Sequence, residues 1–277
     1  MKPARSRPYR IASHLILIVL AALSLYPFLF MLMTSFKSNE QFYHGYFTPA
    51  WPLHWGNYAE AWGQIAVYFG NSISITLISV LAGLLIAALA AWAFARYSFP
   101  GSGFLYGAIL VVLLIPGVLT LIPAFVVLRD LGLMGTHGAL YAVYVTESLI
   151  LGIVVLKSFF SALPEELVEA AALDGAAETQ VVARIAVPLT KPAFLTVAIM
   201  NTLFCWNDYI WPLILLPDTR LWTVTQGLVS FRDRYAGMAA WGPLFAGFVI
   251  ASVPLFLLFF SSMRSFLSGL TSGALKA

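Results

Sequence analysis

Long apolar stretches separated by shorter polar segments make up most of this chain. A membrane-spanning helix needs about 20 mostly apolar residues, and six stretches reach or approach that length: residues 11–33, 73–95, 104–128, 139–156, 193–216 and 241–263. The first is longer than the apolar region of about 7–15 residues in a secretory signal, so we expect it to be retained. The pattern predicts an all-α membrane protein with six transmembrane helices, in a single transmembrane domain over residues 1–277.

Composition agrees with a membrane protein and excludes several other classes. Of the 277 residues, 61% are hydrophobic and 10% are charged, whereas a soluble domain carries about 25% charged residues. The net charge is +3 and the basic residues are dispersed, unlike the basic stripe of a nucleic-acid-binding protein. Cys205 is the only cysteine, which excludes an intrachain disulfide. With no His/Glu metal motif and no nucleophile beside a base, the sequence predicts no catalytic residues, no metal and no cofactor.

The distribution of Lys and Arg predicts the orientation in the lipid bilayer. Basic residues concentrate in cytoplasmic segments of membrane proteins. With the N-terminus inside, ten of the 15 basic residues fall on the cytoplasmic side and five on the outer side. We therefore expect both termini in the cytoplasm, which also places the loop 157–192 there.

That loop holds the longest polar interruption on the cytoplasmic side. Pro164 suits the first turn of a helix, and Gly175 is a natural helix stop because it accepts a left-handed backbone. A second helical stretch follows over residues 177–186, and Pro188 and Pro192 are expected to break the chain before the fifth span. The pattern predicts a two-helix elbow. Such an elbow either receives a docked protein or lies as an amphipathic helix on the membrane surface.

The spacing within the elbow resembles a known signature. Glu169-Ala170-Ala171 is followed after three residues by Gly175, after nine more by Ile185 and after two more by Pro188. This resembles the EAA signature of ABC-importer permeases, with Val187 where that family usually has Leu. Further matching pieces occur along the chain: Asn71-Ser72, Ala95-Arg96-Tyr97, Phe99-Pro100-Gly101, Pro116, Pro123, Trp206-Asn207-Asp208 and residues 269–274. Together they are similar to the carbohydrate-importer branch, in particular the maltose-type second permease subunit.

The resemblance implies a fold, a function and partners. It implies a type I ABC-importer permease bundle that pairs with a second homologous permease, two cytoplasmic ATPases and an external solute-binding protein. The protein would import a sugar or oligosaccharide across a bacterial or archaeal plasma (inner) membrane. Because the sequence has no Walker-type glycine loop, ATP hydrolysis would belong to separate subunits and the chain would not be an enzyme. The residues expected to couple to an ATPase are Glu169, Ala170, Ala171, Gly175, Ile185 and Pro188.

Three polar residues within the apolar spans are candidates for the translocation pathway. Ionisable groups inside a membrane are costly and often functional. Glu147 departs from the family pattern; it either accepts sugar hydroxyls in the pathway or forms a structural hydrogen bond to another helix or the partner subunit. Asn207 and Asp208 belong to a family-wide motif, which favours a structural or gating role. The alternative function is an ion-coupled secondary transporter or channel, in which Glu147 or Asp208 would carry the ion.

Overall fold

Helices account for all the regular secondary structure in the described part of the chain. A computed structural model describes residues 7–235 and 240–274. In chain order the first seven helices are α1 (Arg7–Ser35), α2 (Asn39–His44), α3 (Gly56–Arg96), α4 (Ser102–Val112), α5 (Gly117–Asp130), α6 (His137–Ser161) and α7 (Glu165–Leu173). They are followed by α8 (Glu178–Val181), a π-helical segment (Val182–Ala186), α9 (Val187–Leu189), α10 (Lys191–Asn207), α11 (Ile210–Leu215), a 3-10 turn (Thr219–Leu221), α12 (Val224–Tyr235) and α13 (Trp241–Ala274).

Four of these helices are long and apolar enough to cross a membrane: Ile11–Ser35, Gly56–Arg96, His137–Ser161 and Trp241–Met263. Two further apolar segments are bent pairs. The angle between α4 and α5 is 108°, and the angle between Glu178–Leu189 and α10 is 82°. The described chain therefore has four candidate spans, or six if each bent pair is one span.

Three predicted spans differ from the structure at their boundaries. Helix α3 begins at Gly56 rather than residue 73, because Ala61 and Ile65 continue a buried helical face through a more polar stretch. The stretch 104–128 is interrupted before Pro116, which stands at the N-cap of α5. Proline disfavours a helical conformation in the residue before it and removes one backbone donor, so a turn separates α4 from α5.

The stretch 193–216 is likewise two helices rather than one. Helix α10 ends at Asn207, and Asp208 adopts an extended backbone with φ −68° and ψ 134°. The Asp208 carboxyl accepts a hydrogen bond from the Ile210 backbone N–H at 3.0 Å. Aspartate favours such capping over a continuous helix because its short side chain reaches nearby backbone donors.

Contacts divide the chain into two compact units, Met1–Ala66 with Gly227–Val253, and Val67–Gln226 with Pro254–Ala277. In the first unit, the fully buried Lys37 donates from Nζ to the carbonyls of Gly45 and Tyr46, at 2.6 and 3.0 Å. Asn57 donates to the carbonyls of Ser35 and Lys37, at 2.9 Å each. These bonds hold the segment between α1 and α3 in one conformation.

The second unit contains the elbow and the core that supports it. Small residues bring α3 and α6 close together: a Cβ added at Gly83 would lie 2.6 Å from Ser148 Cβ, and one added at Gly152 would lie 2.7 Å from Ala87 Cβ. Close approach through small residues is typical of helix packing in membranes. The α3–α6 contact is therefore sensitive to side-chain size at both glycines.

We expect Gly152→Ala to lower the stability of the protein, although alanine is the better helix former by about 1 kcal/mol. The added methyl overlaps Ala87, and overpacking typically costs about 1–3 kcal/mol. Gly107→Ala in α4 is the matched control, since nothing lies within 4 Å of its added Cβ. Thermal unfolding in detergent checks the pair; equal midpoints would contradict the close α3–α6 packing.

Candidate functional site

The elbow, residues 163–192, folds as two helical arms around Gly175. Helix α7 ends in a Schellman motif, in which the Ala176 N–H donates to the Ala171 carbonyl and the Gly175 N–H donates to the Ala172 carbonyl, both at 3.0 Å. Gly175 has a φ of +77°, in the left-handed region that side chains rarely adopt. The turn between the arms therefore requires glycine for its backbone, while the space around its Cα is open.

The second arm runs without a break from Glu178 to Leu189. The break expected before the fifth span is confirmed between Leu189 and Lys191, but Pro188 lies inside the run and does not itself end it. The π-helical segment before it explains why: Val187 N–H donates to the Val182 carbonyl five residues back, and the wider register accommodates a proline that has no N–H. The chain bends only between Leu189 and Lys191, and Pro192 stands in the first turn of α10.

Polar contacts fix the second arm to the end of α3. The Glu178 carboxylate accepts a hydrogen bond from Trp92 Nε1 at 2.7 Å and another from the Tyr97 hydroxyl. The second contact raises the pKa of the exposed Tyr97 phenol, because ionisation would remove the hydrogen bond. Arg96 donates to the carbonyls of Phe160 and Leu163, at 3.2 and 3.1 Å. Sequence reasoning missed Glu178 and Trp92, whose nearness depends on tertiary structure.

Apolar packing fixes the same arm to the helices behind it. Val181, Val182 and Ala186 are buried. Together with residues of α3, α6 and α10 they form one core cluster: Ala87, Ala88, Ala91, Trp92, Ile153, Leu156, Phe160 and Ala193. The elbow is therefore a stiff extension of the helical core, able to move with it.

The six expected coupling residues divide between an exposed face and the core. Glu169, Ala170, Gly175 and Pro188 are exposed, whereas Ala171 and Ile185 are half-buried and pack against the core cluster. Leu173 lies on the first arm with 89% of its surface exposed. The first arm therefore exposes a large apolar side chain beside small residues.

Glu147 lies in a cavity of about 740 Å³ within the second unit. The cavity is lined by residues of α5, α6 and α10, by the end of α4 and the turn that follows it, by Leu131 just after α5 and by Trp211 of α11. The other polar side chains of its wall are Thr120, Thr146 and Asn201. Asn201 is 5% exposed, and its Nδ2 has no hydrogen-bond partner in the described part of the chain. Sequence reasoning identified Glu147 but missed Asn201.

Asn207 and Asp208 are placed elsewhere. Asn207 is exposed and donates from Nδ2 to the Leu203 carbonyl of its own helix at 2.8 Å. Asp208 accepts a hydrogen bond from the buried Tyr144 hydroxyl at 2.8 Å. Neither lines the cavity as far as the described residues define it, so the structure does not bring the three pathway candidates together. Within the same ranges, no three His, Cys, Asp or Glu side chains are grouped as a metal site requires.

Comparisons with known proteins relate most of the chain to one family. The family described as binding-protein-dependent transport system inner membrane component matches residues 79–271. The chain is 32% identical over 274 residues to the diacetylchitobiose uptake system permease protein NgcG of Streptomyces coelicolor, covering 98% of this chain and 90% of that protein. It is 31% identical over 263 residues to the trehalose/maltose transport system permease protein MalG of Thermococcus litoralis, covering 94% of each.

A solved structure shares the fold. A chain of a bacterial ABC transporter involved in the import of the acidic polysaccharide alginate superimposes with a TM-score of 0.81 at 21% identity. The match covers 96% of this chain and 100% of that chain. The chain therefore has the same fold as that transporter chain.

Proposed function

This chain belongs to the family of inner membrane components of binding-protein-dependent transport systems, and from that premise we propose that it carries a sugar or oligosaccharide through the membrane. It is a multi-pass permease subunit of an ABC importer and a transport component rather than an enzyme. Support for a saccharide comes from the two relatives, both named for saccharide transport. The cavity at Glu147 agrees with it, because a few polar groups in an apolar wall suit a polyhydroxylated solute.

The proposed topology has six spans and both termini in the cytoplasm. Each bent pair then counts as one span, and ten of the 15 basic residues lie on the cytoplasmic side. Residues 1–277 act as a single permease domain in the plasma membrane of a bacterium or archaeon. The elbow lies on the cytoplasmic side in this arrangement.

The proposed partners are a second homologous permease, two cytoplasmic ATPases and an external solute-binding protein. The elbow supplies the ATPase contact through Glu169, Ala170, Gly175 and Pro188, with Ala171 and Ile185 holding that surface on the core. The exposed Leu173 adds apolar area to the contact. Glu178, Trp92 and Arg96 tie the elbow to α3 and α6, so a push on the elbow moves these helices together. The pathway then opens alternately to the two sides of the membrane.

The observation that carries this function is the elbow itself: a stiff pair of short helices with an exposed, small-residue face, anchored to the transmembrane core. An ion-coupled transporter has no use for such a surface. Glu147 in the cavity is the feature that the alternative would explain, as an ion-carrying carboxylate. The two functions differ in what drives uptake.

Reconstitution into liposomes tests the proposal. We expect uptake of labelled N,N′-diacetylchitobiose, trehalose or maltose only when the partner permease, the ATPases, the binding protein and ATP are all present. Vanadate, which traps ATPases, should stop it. Uptake by this chain alone, driven by a proton or sodium gradient, would overturn the proposal in favour of the ion-coupled alternative.

A further inference from the structure

The cavity in the second unit holds one carboxyl group, Glu147, and its described lining residues include no Lys, Arg or His. Glu147 is the one residue with a formal charge among the residues that line the cavity in the described part of the chain. It is half-buried, and it forms no ion pair with any described residue. A carboxylate acts only as a hydrogen-bond acceptor when ionised, so the cavity presents an acceptor to whatever enters.

Asn201 supplies the complementary group. Its side chain is 5% exposed, it lines the same cavity, and its Nδ2 has no partner among the described residues. Buried amide donors are nearly always paired, because an unpaired one costs about 1–3 kcal/mol. An unpaired donor in the wall of a cavity that also holds a carboxylate is what a ligand with both hydroxyl donors and oxygen acceptors would complete.

The rest of the wall suits a sugar ring. Phe204 and Trp211 place aromatic surface on the cavity, and Thr120 and Thr146 add two hydroxyls whose protons are already committed to the Gly117 and Ala142 carbonyls, at 2.7 and 2.8 Å. These two hydroxyl oxygens can still accept hydrogen bonds. The cavity thus offers several acceptors, one free amide donor and no cation among its described lining residues.

We propose that this cavity is a glycosyl subsite in which Glu147 and Asn201 Nδ2 bind a neutral or amino sugar unit and discriminate against acidic sugars. This inference rests on the proposed transport function and adds a specificity to it. A sugar hydroxyl or ammonium donates to Glu147, and a ring or hydroxyl oxygen accepts from Asn201. A uronate would bring a second carboxylate next to Glu147, and like charges repel. The structural neighbour, by contrast, belongs to a transporter that imports an acidic polysaccharide.

Three disaccharides of different charge test the subsite on the assembled importer in nanodiscs, without its binding protein. They are N,N′-diacetylchitobiose, the same disaccharide with both amines free, and digalacturonate. In competition against labelled N,N′-diacetylchitobiose, we expect wild type to bind the amino form at least as well as the acetylated form and digalacturonate about tenfold more weakly. Glu147→Gln should remove most of that difference, and Glu147→Lys should reverse it.

Matched variants separate the subsite from general damage. Thr146→Val changes another polar residue of the wall, and it should leave the three-probe ratios unchanged. Asn201→Leu should weaken all three probes by a similar factor, because it removes a donor without changing charge. Equal ratios in wild type, Glu147→Gln and Glu147→Lys would overturn the proposal, as would no binding of N,N′-diacetylchitobiose to wild type.

Two further outcomes are distinguishable from these. A Glu147→Gln chain that no longer co-purifies with its partner permease would assign the carboxylate to the subunit interface, which also overturns the subsite. Failure of the proposed function would appear instead as absence of ATP-driven uptake by the wild-type importer. If the wild-type importer shows ATP-driven uptake but the three-probe ratios do not change when Glu147 is replaced, the subsite alone is overturned.

Discussion

Replacing Gly175 with valine will strongly reduce ATP-driven uptake while leaving the transmembrane helices folded. Gly175 has a φ of +77°, which costs an ordinary side chain about 1–2 kcal/mol and a β-branched one more. The cheapest relief is to unwind the Schellman turn, in which Ala176 and Gly175 donate back to Ala171 and Ala172. The first arm then loses its angle to the second, and Glu169 and Leu173 leave the surface that an ATPase would meet. We expect uptake to fall by at least about tenfold, the equivalent of 1.4 kcal/mol, with ATP hydrolysis no longer stimulated by loaded binding protein.

Two other glycine variants isolate the cause. Gly132→Val carries the same backbone penalty, since Gly132 has a φ of +70° and open space around its Cα, but it lies at the end of α5, outside the elbow. It should lower thermal stability without uncoupling. Gly175→Asn keeps the left-handed turn accessible, because asparagine tolerates that region, and should retain most of the uptake. Uptake by Gly175→Val equal to that by Gly132→Val would contradict the role of the elbow.

A surface variant addresses the same contact without changing the backbone. Glu169 is exposed on the first arm, so Glu169→Lys alters charge and leaves packing intact. If the exposed face of the elbow meets a basic surface of an ATPase, this reversal weakens assembly and uptake together. Co-purification of the ATPases at unchanged yield would place the contact elsewhere on the elbow.

Local signals explain why the elbow was predictable in outline. Acidic residues in the first turn, an Ala-rich stretch and a following glycine are close together in the sequence, and together they predict a helix and its end. The structure confirms a helix that ends before Gly175. Pro188 shows the limit of such signals. Because proline has no backbone N–H, the sequence predicts a break in the helix, yet the π-helical segment before Pro188 lets the helix continue through it. That choice depends on burying Val181, Val182 and Ala186 in the core, which a local pattern does not contain.

The contacts that give the elbow its stiffness were not predictable for a related reason. Glu178 meets Trp92 and Tyr97 across 86 and 81 residues of sequence, and each residue alone is an ordinary boundary residue of a membrane protein.

The polar residues of the cavity were predictable only in part. Glu147 stood out because a carboxylate inside an apolar span is costly. Asn201 carries a weaker form of the same signal, since an amide in an apolar helix also needs a partner.

Asp208 shows how a residue marked by the same signal takes a structural role, and its removal is the second large effect that we expect. Tyr144 is fully buried, and its hydroxyl donates to the Asp208 carboxyl at 2.8 Å. The same carboxyl accepts a hydrogen bond from the N–H of Ile210, the first residue of α11, at 3.0 Å. Asp208→Ala leaves the tyrosine hydroxyl unpaired, at about 1–3 kcal/mol, and removes a side-chain–backbone hydrogen bond worth about 0.5–1.5 kcal/mol. We expect thermal unfolding of the importer at a clearly lower temperature and a matching loss of uptake.

The neighbouring residue and the partner residue distinguish this structural role from a place in the solute pathway. Asn207→Ala removes only an exposed bond to its own helix, and it should change stability by a few tenths of a kcal/mol. Asp208→Asn accepts from Ile210 N–H with Oδ1, while its Nδ2 donates to the Tyr144 hydroxyl oxygen in place of the lost acceptor, so it should be clearly more stable than Asp208→Ala. Tyr144→Phe combined with Asp208→Ala should lower the stability by less than the sum of the single changes, because the phenylalanine leaves no hydroxyl unpaired.

Sugar selectivity, measured by the three-probe ratios, should be unchanged in all of these variants. A shift in the three-probe ratios with Asp208→Asn would instead place Asp208 beside the solute, whereas a sub-additive double variant with constant ratios makes it the residue that holds α11 against α6.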